Sequence, residues 1–182
     1  MDLLDRLLGH DEWTTAELLR RCGELSEFQL NERFDIGHET VRATLVHMID
    51  NVGDWTQLMR TGQEEERVNG WAEMGIPSIT EEHRRSYTRF ARLAREIRDA
   101  DRWDELWVDT LDDPPRSKTY GGAILHVITH NMHHRGELLH ILARLGLTEL
   151  PEGDLLSWEE REATEAGKRA EMQGRGQAPP LR

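Results

Sequence analysis

The stretch TYGGAILHVITHNMHHRGELLHILARL, Thr119 to Leu145, contains no proline and closes on Gly146, where a helix C-cap belongs. At about 100° per residue, Val127, Leu138, Ile141 and Leu145 fall within roughly 40° of one line, which marks a buried face. His134 lies about 20° from that line and His130 about 60° from it, so both imidazoles point inward. His126 sits near about 100°, and His133 and His140 beyond roughly 120°, at the edge or in solvent. A helix with one apolar stripe must bury it against other helices.

The rest of the chain supplies those helices. Leu7, Leu8, Leu18, Leu19 and Leu25 pattern a first helix over Asp5 to Leu25, and Phe28 to Gly37 reads as a connector. Val41, Leu45, Met48, Ile49, Val52 and Met59 pattern a second over Glu39 to Arg60, with Thr61-Gly62 as its stop. Residues 63–77 read as a loop, and Ser78-Ile-Thr-Glu81 as the capping box of a third helix that runs to Ala100. Leu106 to Leu111 reads as a short strand that Asp112-Asp113-Pro114-Pro115 turns back, a small hairpin before the last long helix. The pattern predicts an all-α four-helix bundle over 1–150. A connector and short charged helix (Trp158 to Met172) follow over 151–172, then a disordered tail over 173–182.

Composition narrows the function. The 182 residues are 37% apolar and carry 23 Lys and Arg against 35 Asp and Glu, a net charge of −12 that repels phosphate backbones. No apolar run approaches the roughly 20 residues of a membrane helix, and the N-terminus lacks the basic start of a signal peptide. A cytoplasmic protein with no nucleic-acid or membrane partner is expected. Cys22 is the one cysteine, so a thiolate zinc site is excluded and any metal must take nitrogen and oxygen ligands.

Nine histidines are many for this length, and five lie between His126 and His140. Residues four apart share a helix face, so His126/His130 or His130/His134 can converge on one metal ion. Buried imidazoles need partners, and a metal or a neighbouring carboxylate would serve. Candidates for a third ligand are His10, His38, His47 and His83. His47 is the most suggestive because a mid-helix ligand is rigidly held, although it lies off the line through Leu45, Ile49 and Val52. Glu137-Leu-Leu-His140 has the E-x-x-H form of di-iron bundles, but those need a second copy and none is present. Arg135 is expected to pair with an acid on another helix, and Gly136 to mark a close helix crossing or access to the site. Trp55 could line a pocket beside the site but is read first as a core aromatic, and Cys22 as a small hydrophobe.

The segments LVHMIDNVGDW (Leu45 to Trp55), HVITHNMHHRGELLHILARLG (His126 to Gly146) and LPEGDLLSWEE (Leu150 to Glu160) together resemble the DinB/YfiT-like superfamily. The resemblance covers about residues 1–160. It implies an up-down-down-up four-helix bundle holding one divalent metal through His47, His130 and His134. Family members often show Asn before the first helix-four ligand and Gln after the HRG, where this chain has Thr129 and Glu137.

Relatives include transferases that use low-molecular-weight thiols and a thiol-dependent isomerase. The resemblance therefore implies a metal-dependent transfer of such a thiol, as co-substrate, to an electrophilic small molecule. It names no catalytic side chain. Zinc or nickel suits imidazole ligands, and a homodimer follows from the relatives. A metal-dependent hydrolase and a non-catalytic metal-binding stress protein are the alternatives. A closing carboxylate from Glu137 or Asp50 would favour the latter.

Overall fold

The computed structural model describes residues 1–63, 70, 75–151 and 153–175. Polar caps open most helices. Asp2 accepts the Asp5 amide at 2.8 Å to start α1 (Leu3–Cys22), and a Ser26/Gln29 capping box encloses the single turn α2 (Glu27–Leu30). Thr40 accepts the Ala43 amide at 3.0 Å to start α3 (Val41–Thr61), and Gly62 ends that helix in the left-handed conformation.

The third long helix, α4 (Ile76–Asp99), begins before the expected capping box, with Pro77 in its first turn. Proline fits there because its missing N–H would have no helical partner anyway. Of the expected loop over 63–77, positions 64–69 and 71–74 lie outside the described residues. The hairpin is present: β1 (Leu106–Asp109) pairs antiparallel with β2 (Arg116–Thr119), Leu106 opposite Thr119. Thr119 then caps α5 (Tyr120–Arg144), accepting the Gly122 amide at 3.1 Å.

The chain divides into two compact units, Met1–Pro151 and Glu152–Arg182. The second holds α6 (Leu155–Arg175), which starts earlier than Trp158 because Asp154 accepts the Leu156 amide at 2.7 Å and the Ser157 amide at 3.0 Å. It also runs past Met172, so residues 173–175 of the expected tail are helical, while 176–182 lie outside the described residues. Among the described residues no helix is long and apolar enough to cross a membrane.

In the first unit α1 and α3 each pack against both α4 and α5, and so occupy opposite corners. One core layer joins Leu4 and Leu8 at the start of α1 to Leu58 and Met59 at the end of α3. It continues through Phe90 and Ile97 late in α4 and Ala123 and Val127 early in α5. The other joins Leu18 and Leu19 to Val41, Leu45, Ile79, Leu138 and Leu142, the opposite helix ends. Helices α1 and α5 therefore run one way and α3 and α4 the other, the up-down-down-up order. Trp107 of β1 is buried in the first layer and meets Trp55 edge-on, with centroids 5.9 Å apart.

Between α1 and α5 the core is polar. Arg135 is ion-paired with Asp11, both side chains almost fully buried, and Asn131 donates to Asp11 Oδ2 at 3.1 Å. Removing one partner of such a pair strands the other charge, at a cost of about 3–5 kcal/mol. Asp11→Ala is expected to lower unfolding free energy by about that much in urea titration. Asp11→Leu combined with Arg135→Met should recover most of the loss, and a double variant as unstable as the single one would contradict this account.

Candidate metal centre

Three imidazoles meet where the middle of α5 crosses α3. His130 and His134, one turn apart on α5, bring their Nε2 atoms to 3.1 Å, and His47 of α3 brings its Nε2 to 2.9 Å from that of His130. Glu137 Oε2 accepts from His134 Nδ1 at 2.7 Å. That bond places the ring proton on Nδ1, leaving the Nε2 lone pair facing the other two rings.

The three residues that the resemblance implies are thus brought into contact, with His130 Nε2 at hydrogen-bond distance from both of the others. A neutral imidazole nitrogen carries a proton or a lone pair, so His130 Nε2 cannot donate to both neighbours. Nitrogens at about 2.0–2.1 Å from one divalent ion stand about 2.9–3.4 Å apart when they are adjacent ligands.

His38 joins them from the connector before α3. Its ring lies 3.9 Å from that of His47 and 5.2 Å from that of His134, centre to centre. Ring nitrogens of His38, His47 and His134 all lie within 4.8 Å of one another, a group that could hold a metal ion. A second such group is His133, His134 and Glu137. It shares Glu137 between two rings, Oε1 facing His133 Nε2 at 3.2 Å.

The other histidines lie outside the first of these groups. His126, His133 and His140 are exposed, as the helical wheel predicts. His126 is sandwiched between His130 and Trp55, with centroids 5.3 and 4.8 Å away. Trp55 is partly buried, packing against the core as expected while its ring also borders His126 beside the site. His10 and His83 are buried on α1 and α4 and belong to neither group of metal-binding candidates. Arg135 meets its acid, Asp11, as expected. Gly136 marks no close crossing, since a methyl group there would meet nothing within 4 Å.

Two residues that sequence reasoning left in the background matter most. Glu137 stands where the family often has Gln, and its carboxylate orients His134. Gly37, with φ of 50°, lies against that carboxylate, and a Cβ there would collide with it. Thr129 turns away from the site and bonds the Leu125 carbonyl at 2.8 Å.

Burial drives the electrostatics. It pushes His47 down to about 4, helped by His38, His134 and His130 and opposed by Glu137. It also pushes His130 down to about 4, with His134 and His126 adding to the effect. Both rings are therefore neutral at pH 7, the form that ligates metals.

The sign for stability follows. The unfolded chain takes up these protons near the usual 6.5, the folded chain only near about 4. Stability of metal-free protein is then complete above that window and falls as pH drops through it, levelling off below. NMR titration of the imidazoles should find both rings neutral down to about pH 4–5. Replacing both with Gln should flatten the loss of thermal stability across that range. Titration of either ring near 6.5 would refute the burial argument.

The family model described as the DinB family matches residues 1–166. No curated protein matches the chain. With its helical bundle and a histidine cluster that could bind a metal ion, the chain belongs to the DinB family.

Proposed function

We propose that His47, His130 and His134 hold one divalent metal ion, zinc or nickel. We further propose that the protein transfers a low-molecular-weight thiol to an electrophilic small molecule. The observation that carries the reading is the meeting of three histidines from two helices, His130 Nε2 lying 2.9 and 3.1 Å from the Nε2 atoms of His47 and His134, with His134 oriented by Glu137. When bound, such an ion supplies the Lewis acidity that keeps a thiol ionised at neutral pH.

The chain's own groups support an external thiol. Cys22 is its one cysteine, and burial pushes that thiol up to about 12, so it is protonated and enclosed. The two oxygens of Glu137 face His134 Nδ1 and His133 Nε2, so this carboxylate is engaged with the rings. Trp55 and His126 form an aromatic wall beside His130. In the overall step the thiol sulfur forms a bond to the electrophilic carbon. The leaving group departs with its electron pair, and the thiol proton passes to solvent. The cytoplasmic setting rests on the sequence reading, and the homodimer on the family resemblance.

Elemental analysis of tag-free protein should find about one zinc or nickel per chain, and none in His47→Ala or His130→Ala. Turnover of a chromogenic electrophile should then require both metal and added thiol. Metal-dependent turnover without thiol would make the protein a hydrolase, and metal without any turnover a non-catalytic binder. A parent that takes up no metal on reconstitution would overturn the reading as a whole.

A further inference from the structure

Three of the four clustered histidines sit on long helices, and the fourth sits on a loop. We propose that His38 is a displaceable fourth nitrogen ligand, one that caps the ion in the resting protein and yields its place to an incoming thiol. This rests on the metal reading of the three helical histidines.

The connector is built to hold that ring where it is. Gly37 and Glu39, on either side of His38, both adopt left-handed backbone, with φ of 50° and 67°. For Glu39 this conformation is strained, and strain of that kind persists where the surroundings enforce it. Three backbone hydrogen bonds close the loop: Phe34 N–H to the Glu39 carbonyl at 2.7 Å, Glu39 N–H to Ile36 at 2.9 Å, and Thr40 N–H to His38 at 2.8 Å. Phe34 is buried in the core layer of Leu18 and Leu45 and anchors the loop's start. Gly37 rests on the Glu137 carboxylate that orients His134, so one side chain positions both the loop and a helical ligand.

The geometry leaves His38 close but free to leave. Its ring nitrogen lies within 4.8 Å of those of His47 and His134. Adjacent ligands on one ion stand about 2.9–3.4 Å apart, so each of these separations exceeds that spacing by no more than about 2 Å. Its side chain is exposed, whereas His134 is buried and His47 and His130 are half-buried. A loop side chain open to solvent exchanges readily, and a mid-helix imidazole does not.

The test uses cobalt(II) as the probe metal, because its visible spectrum reports coordination number and donor type. Parent and His38→Ala should each bind one cobalt per chain. The variant should bind about 10- to 100-fold more weakly, with a changed visible spectrum that added imidazole restores. A small thiol such as 2-mercaptoethanol should bind the cobalt form of His38→Ala more tightly than that of the parent, because no ring must be displaced. Equal affinity and an unchanged spectrum in His38→Ala would overturn the proposal while leaving the three-histidine centre intact. Complete loss of cobalt in His38→Ala, as expected for His130→Ala, would make His38 a permanent ligand and overturn its displaceability. Failure of the parent to bind cobalt would instead remove the underlying reading.

Discussion

A guanidinium cannot be buried alone, and in this bundle Arg135 meets Asp11 in the seam between α5 and α1. Sliding or rotating α5 by one residue would leave both charges inside without partners. The pair, reinforced by Asn131, therefore fixes the rotation of α5 about its axis. His130 and His134 each precede one of these residues, so when Asn131 and Arg135 face α1 the two histidines face α3. The aim of the imidazoles is thus a consequence of an ion pair on another side of the same helix. The polar seam contributes orientation more than net stability, since a well-packed apolar pair often stabilises as much.

From His134 the constraint passes outward. Glu137, three residues on, fixes the ring's proton, and the backbone of Gly37 rests against that carboxylate. A single methyl at Gly37 would push Glu137 away and release both the His134 tautomer and the loop that carries His38. The site is a short chain of dependencies running from buried pair to helix rotation, to imidazole, to carboxylate, to loop.

Periodicity made α5 legible because a helix with one strong apolar stripe assigns every other residue an angle. Val127, Leu138 and Ile141 are fully buried, His134 is buried, His130 is half-buried, and His126, His133 and His140 are exposed. Helix α3 was less legible for a physical reason. It packs against two neighbours, so its buried surface, from Leu45 and Met48 round to Val52 and Gly53, is too broad for one line to define. His47 lies away from that line, on the side of Leu58, so its mid-helix place made it a candidate and the family resemblance chose it. His38 could not be ranked, because its approach depends on two left-handed residues and a carboxylate distant in sequence. Gly37 immediately before it was the available signal, and was spent on ending a connector. The early start of α4 and the open space at Gly136 show the same limit: local residue types do not reveal what packs against them.

The division between helix-borne and loop-borne histidines bears on chemistry. Four nitrogens held with equal rigidity would close a tetrahedral site, and a closed site is structural. Three rigid nitrogens keep one position for a reactant, but in an aqueous pocket that position invites water as readily as sulfur. A loop imidazole poised beside the triad would, on the proposed reading, answer both demands, competing with water at rest and yielding to a stronger ligand. A thiolate is the stronger ligand for a soft or borderline ion, whereas neutral water is not. On the proposed reading, selectivity for sulfur over water would arise from His38 as a competitor, without dedicated thiol-recognition groups in the triad itself.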